Sequence, residues 1–547
     1  MPWWLPASLA LGLVLLLVGG ALAALGITAG SLNLADNLGE AYLWRVAWFT
    51  LWQAALSTLL SAGLAIPLAR ALARRQFPGR GLLLRLFSLS LVVPVIVAIF
   101  GIVAVHGRRG WLNDGLELMG FSGTHYLYGL GGILIGHCFF NMPFIARVLL
   151  QALESVPPES WRVASQYGLR SRDIFRLIEW PAMRGVLPGV AGLVFMLCFT
   201  SFAVVLTLGG GPRATTLEVA VYQALRFDFD LGRAVALALV QLLLCGGIVL
   251  ALLRLSLPAS LTLTEGRVYE RPDRAGWAGR LGDAAVIGFA VFLVVLPLAA
   301  VAVAGFNPKA TEVLTDPRLW RALGQSLIIA LSAASLALLL GAALLVSSRI
   351  LRHRLLRAQA AARLELSASL ILVVPPFVLA TGLFVLLRPF TDVFALGLPL
   401  VILVNALMAL PFVVRFLGGP MMEEAQKHDR LCQSLGIAGW SRLRLVEWPN
   451  LRRPVALALA VAATLSLGDL GVIALFGSQD LTTLPLLLYQ AMGGFRMAEA
   501  AVIAAVLSLL CLLLFLTIEY GLGRARLWPR HGAQGYGAQG YGAQGRA

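Results

Sequence analysis

Two sets of residues in this chain, 268 positions apart, share one pattern. Ala164, Gly168, Ile178 and Pro181 carry the first copy; Cys432, Gly436, Val446 and Pro449 carry the second, and Glu-Trp precedes the proline in both. Neither copy contains a nucleophile beside a base, so covalent chemistry is not what these residues suit. They suit mechanical work: a surface presented on a short helix, held by a turn and used twice. The other residue that could do chemistry is Asp469, the clearest ionisable side chain inside an apolar segment, where a charge is costly. As a path residue it would meet a cation. As a structural residue it would bond helix ends between Gly468 and Gly471. Ser201 is its counterpart in the first half. Phe199, Phe202 and Phe476 lie on or near the same candidate path, where they could stack on a flat heterocycle or attract a cation; helix packing is the competing role for each. His137, Asn141 and Asn405 also fall in apolar segments and suit hydrogen bonds between helices. Gln223 and Gln490 are expected in loops on the outer side.

The elements that must position these residues can be read locally. Pro157-Pro158-Glu159-Ser160 starts a helix that runs to about Tyr167. Gly168 can take the left-handed conformation that ends it. Ser171 is expected to cap a second helix bearing Arg172, Arg176 and Ile178, which Pro181 ends or kinks. Gly436, Ser441 and Pro449 repeat this logic. The register extends further: Pro143, Arg147 and Gly209 map onto Pro411, Arg415 and Gly477, again 268 on. Leu43-Trp44-Arg45 returns as Leu319-Trp320-Arg321, Val93-Pro94 with Gly101 as Val374-Pro375 with Gly382, and Thr216-Leu217 with Tyr222 as Thr483-Leu484 with Tyr489.

Around these motifs the chain is 59% hydrophobic and 13% charged, against about 25% charged in a typical soluble domain. Apolar runs long enough to span a bilayer recur throughout. They predict an all-α integral membrane protein with twelve transmembrane helices, near 5–30, 46–69, 82–105, 127–150, 186–208, 232–253, 281–306, 322–346, 365–387, 394–414, 454–476 and 500–521. The net charge of +16 does not form a compact basic domain, so nucleic acid is excluded as a partner. The arginines concentrate in alternate loops, which places both termini in the cytoplasm. Residues 1–253, with a loop at 152–185, form the first repeat. Residues 254–280 form a linker, and residues 281–521, with a loop at 418–453, form the second repeat. Residues 522–547 form a Gly-rich tail expected to be disordered. Six spans per half make the repeats parallel. Ala21-Leu22-Ala23 resembles a signal-peptidase site, but the first segment is read as a retained helix. The five cysteines, without CxxC, read as unpaired apolar residues, and no metal site is expected.

The paired motif resembles the EAA loop of ATP-binding-cassette importer permeases, Glu-Ala-Ala-x3-Gly-x9-Ile-x-Leu-Pro. Ala164, Gly168, Ile178 and Pro181 match it in the first copy; Gly436 and Pro449 match it in the second, with Val446 in the Ile place and Cys432 in the last Ala place. Arg162-Val163 and Arg430-Leu431 stand where Glu-Ala is expected, and Trp180 and Trp448 replace Leu. The fuller resemblance is to the fused permeases of bacterial thiamine importers, through Phe139-Phe140-Asn141-Met142-Pro143, the run from Met196 to Ala224, and Gly468-Asp469-Leu470-Gly471-Val472. Ferric-iron importer permeases share the layout and are the alternative. The resemblance implies the type I importer permease fold in the bacterial inner membrane and transport of thiamine and its phosphate esters. It also implies a cytoplasmic ATPase homodimer docked at the two loops and a periplasmic thiamine-binding protein. Membrane lipid is the surrounding medium. Neither lysine, Lys309 or Lys427, sits in a Gly-x4-Gly-Lys loop, so no cofactor is expected in this chain and ATP is bound by the partner. An ion-coupled secondary transporter would usually carry more ionisable residues within its spans, and a membrane-embedded enzyme would need a clustered catalytic set.

Overall fold

A computed structural model describes residues 4–31, 38–89, 93–121, 126–254 and 276–523. Linker residues 255–275, the tail from residue 524 and Val92 lie outside the described residues. Every regular element among the described residues is helical. Among the described residues, nine helices are long and apolar enough to cross a membrane: Leu5–Gly30, Ala41–Arg74, Val95–Leu118, Leu130–Glu154, Leu231–Leu252, Trp277–Ala304, Pro317–His353, Gly397–Ser434 and Met497–Gly523. A tenth span is counted if Ser171–Arg184 and Leu187–Phe199, bent by 54°, are taken together. The expected runs at 82–105, 186–208, 365–387 and 454–476 are not single helices. The first splits into Arg80–Leu89 and Val95–His106, the second into Leu187–Phe199 and Ala203–Leu208. The third splits around a 3-10 turn, Leu370–Val373, before Pro376–Leu387, and the fourth into Trp448–Leu467 and Gly471–Phe476. Pro94 and Pro375 carry extended backbone at two of these breaks, where a proline has no N–H to continue a helix.

The element order repeats. Ala41–Arg74 answers to Pro317–His353, Leu130–Glu154 to Gly397–Ser434, Leu217–Arg226 to Leu484–Gly493, and Leu231–Arg254 to Met497–Gly523. Local bonds repeat as well. The Trp44 and Trp320 indoles donate to the Leu38 and Leu314 carbonyls, each at 2.8 Å. The Thr50 and Ser326 hydroxyls accept from the Leu217 and Leu484 N–H groups, at 3.0 and 2.9 Å. Both are buried donors at helix starts that would otherwise lack a partner.

The halves exchange their first helices. Leu5–Ser31 packs on Pro317–His353 and Pro376–Leu387 of the second half, and the segment Trp277–Ala304 packs on Ala41–Arg74 and Val95–His106 of the first. Glycine permits both crossings. A Cβ on Gly101 would lie 2.4 Å from the Pro297 carbonyl oxygen, and one on Gly382 would lie 2.6 Å from that of Ala21. Backbone cannot retreat as a flexible side chain can, so Gly101→Ala and Gly382→Ala should each cost about 1–3 kcal/mol. The check is thermal unfolding of the purified protein; Gly324→Ala, where a Cβ meets nothing within 4 Å, is the neutral control.

Candidate coupling corners and path

Each repeated motif folds into a helix, a corner and a second helix. In the first copy Pro158–Gln166 ends at Gly168, whose φ is +59°. The Leu169 N–H then reaches back to the Ala164 carbonyl at 3.0 Å. In the second copy Gly436 has φ +66°, and the Ile437 N–H reaches the Cys432 carbonyl at 2.8 Å. These are matching Schellman-type caps, with Ala164 and Cys432 in the same role. Residues 418–434, expected within a loop, instead continue the Gly397–Ser434 helix through Pro420, so Cys432 lies in its last turn. All five cysteines are buried and none forms a disulfide.

The second short helix differs from the sequence expectation in three ways. Ser171 is not its cap: the Arg170 N–H donates to Asp173 Oδ2 at 3.3 Å, and Ser171 Oγ accepts from Arg74 at 3.2 Å. Ser441 likewise lies inside Gly439–Arg442, behind Ala438. Pro181 neither ends nor kinks the chain, because a π turn, Phe175–Glu179, precedes it; the second copy has the same turn, Leu443–Glu447, before Pro449. The wider turn shifts the bonding pattern from i−4 to i−5 just where proline would otherwise clash with the preceding turn. The 54° bend follows at Gly185–Val186.

The last residue of each π turn is a buried carboxylate that sequence reading passed over. Glu179 accepts from Arg70 Nε at 2.6 Å, and that guanidinium stacks 4.4 Å over Phe175. Glu447 accepts from Arg349 Nη1 and from Arg442 Nε, each at 2.7 Å. Arg70 and Arg349 come from the ends of matching helices, so each corner is tied to the second long helix of its half. The signal was present, since Glu stands before Trp-Pro in both motif copies. In the first half the tie continues: Arg74 and Arg75 bind the two oxygens of Asp283 at 2.8 and 2.7 Å, reaching the first helix of the other half.

The interiors of the corners differ. Val156, Trp161, Ala164 and Ile174 form a small apolar core in the first, with Ile178 packed against it. The positions 268 on are Glu424, Asp429, Cys432 and Arg442. Arg442 forms an ion pair with Asp429 and lies 3.9 Å from Glu424, which also approaches Arg349 at 3.9 Å and His428 at 3.6 Å. Burial disfavours the charge on Arg442, but Asp429 and Glu447 outweigh it and raise its pKa above the ordinary value.

The outer faces match again. Val163, Tyr167, Leu177 and Trp180 are exposed, and so are their counterparts Leu431, Leu435, Leu445 and Trp448. Tyr167 is 79% exposed and Leu435 62%. Of the predicted residues, Ala164 and Cys432 therefore face inward and shape the corners, Gly168 and Gly436 turn the chain, Ile178 and Val446 are half-buried, and Pro181 and Pro449 open the following helices.

Of the candidate path residues, Phe199 and Phe476 are fully buried, with Phe199 stacked on Phe195 at 6.3 Å. Phe202 packs on Phe377 at 4.3 Å, across the boundary between halves. Ser201 and Asp469 are half-buried at equivalent helix breaks. His137 bonds Ser57 at 2.8 Å, Asn141 bonds the Cys198 sulfur at 3.2 Å, and Asn405 donates to Ser466 at 3.0 Å, which is the helix-to-helix role. Gln223 and Gln490 lie in short helices, not loops.

A two-fold repeated helical scaffold with paired, tethered corners is the architecture of a membrane transport subunit. Residues 63–263 and 359–527 match the family described as binding-protein-dependent transport system inner membrane component, and the chain belongs to that family. It is 48% identical over 515 residues to a thiamine transport system permease protein of Brucella abortus (strain 2308), covering 94% of each chain. It is 48% identical over 529 residues to the protein of that name from Escherichia coli (strain K12), covering 95% of this chain and 97% of that one. The Haemophilus influenzae counterpart is 42% identical over 512 residues, covering 92% and 94%.

Proposed function

We propose that this chain is the membrane subunit of an ATP-binding-cassette importer for thiamine and its phosphate esters. The observation that carries the substrate is the 48% identity, over nearly all of both chains, to permeases named for thiamine transport. The chain crosses the inner membrane twelve times in two parallel sets of six, the interrupted helices counting as spans. Both termini and both corners face the cytoplasm. An ATPase homodimer seats one subunit on each corner, which explains why the exposed faces match while the interiors do not. ATP is bound there and not in this chain, which holds no cofactor. A periplasmic thiamine-binding protein delivers the ligand on the other side.

The test of substrate is uptake of labelled thiamine by a thiamine auxotroph carrying this permease with its native partners. ATP-dependent uptake supports the reading; uptake of ferric iron but not thiamine would overturn it. Topology is checked separately. Single cysteines at Gln76 and Gln426 should resist a membrane-impermeant thiol reagent in intact spheroplasts, and one at Asn307 should react.

A further inference from the structure

Four helix breaks meet where the halves touch. A Cβ on Gly468, beside the break at Asp469, would lie 3.1 Å from Pro94, at the break before Val95–His106. A Cβ on Gly471 would lie 3.2 Å from Phe377 and 3.8 Å from Phe202. Phe377 follows the Pro375 break, and Phe202 lies within the break after Phe199. Broken helices at the boundary between repeats leave backbone and side chains free to face a passing solute. Tyr222 closes the cluster, 5.3 Å from Phe202 and 6.4 Å from Phe377, edge-on to both. Asp469 stands at this point, in the break before Gly471–Phe476. Oδ1 accepts the Gly471 N–H at 3.1 Å, and Asn405 and the Val472 and Ile473 N–H groups are further polar neighbours of the carboxylate. A carboxylate is costly inside a membrane protein, and a helix start can be capped by a neutral side chain. The repeat does not demand it either, since the equivalent residue is Ser201.

We propose that Asp469, Phe202, Phe377 and Tyr222 form a binding site for a flat organic cation at this junction, closed in the present conformation. The carboxylate supplies the counter-ion. The three rings, which now bury one another, supply faces for stacking and cation–π contact once the halves move apart. The small polar pocket beside Asp469, lined by Ser326, Asn405, Ser466 and Thr483, has room for only about one water-sized molecule and cannot itself hold an organic ligand. The choice of thiazolium as the natural cation rests on the thiamine reading; the site itself does not.

The experiment uses the complete complex of permease, ATPase and binding protein in proteoliposomes. ATP-driven uptake of thiamine is compared with uptake of its neutral isostere, in which carbon replaces the thiazolium nitrogen. Asp469→Asn keeps an oxygen for the Gly471 N–H, so the helix break retains its cap. The thiamine-to-isostere rate ratio should fall about ten-fold in Asp469→Asn and recover in part in Asp469→Glu, since one kind of electrostatic contact is lost and regained. An unchanged ratio, including an equal loss for both substrates, would make Asp469 a structural cap and overturn the site. Failure of the wild type to import thiamine would overturn the importer reading alone. The site is then decided by a fluorescent benzothiazolium cation added to the solubilised complex: weaker binding to Asp469→Asn and Phe377→Leu than to wild type supports it, and equal binding rejects it.

Discussion

Gly436→Val should uncouple the second corner while leaving the membrane helices in place. At φ +66° a β-branched residue costs about 1–3 kcal/mol. A Cβ there meets nothing within 4 Å, so the penalty is conformational and not steric crowding by neighbours. Gly168, at φ +59° and equally open, should behave alike. Each single variant should lower binding-protein-stimulated ATP hydrolysis about ten-fold, and the double variant should lose ATPase association on co-purification; a free-energy loss of about 1.4 kcal/mol per corner corresponds to that factor. Asparagine tolerates the left-handed region better than other non-glycine residues, so Gly436→Asn should retain much more activity than Gly436→Val. Equal coupling in both valine variants and the wild type would remove the corners from the docking surface.

The unlike interiors give the second large effect. Arg442→Ile alone removes one of the two guanidinium groups that face Glu424 and Glu447 and takes the Arg442 partner from Asp429, and breaking a buried ionic cluster from one side costs about 3–5 kcal/mol. The triple variant Glu424→Val, Asp429→Trp, Arg442→Ile copies the apolar core of the first corner into the second and leaves Glu447 paired with Arg349. It should recover nearly all of the lost stability, because apolar replacement of a whole ionic cluster is often neutral or stabilising. Thermal unfolding of the three proteins measures this. A triple variant no more stable than Arg442→Ile would show that the two corners do not share a packing geometry.

These corners were largely legible in the sequence because their logic is local. A glycine at a helix end and a proline pair at a helix start each act over a few residues, and the 268-residue register displays the glycine corner twice. The interrupted helices were not legible as interruptions. Hydropathy adds up over a window and takes Ser201, Asp469, Pro94 and Pro375 as minor dips inside apolar runs, although the helix is interrupted at each. The repeat of Val-Pro before Gly101 and Gly382 was visible, but its meaning lies in contacts with Pro297 and Ala21, far away in sequence. Ion pairs such as Arg70 with Glu179, and Arg74 and Arg75 with Asp283, are equally non-local. The arginine clusters were read only as a charge bias because nothing in their spacing names a partner.

The exchange of first helices also sets an order for biogenesis. As the chain leaves the ribosome, Val95–His106 enters the membrane with its Gly101 face uncovered, and the segment that covers it ends near residue 304. Leu5–Ser31, made first, must wait longer still, for Pro376–Leu387. The first half therefore cannot reach its final packing during its own synthesis and waits for the second with its Gly101 face open to lipid or to the insertion machinery, whereas the second half meets partners already made. Shape complementarity at two glycines thus makes the last folding step of this protein a joint one.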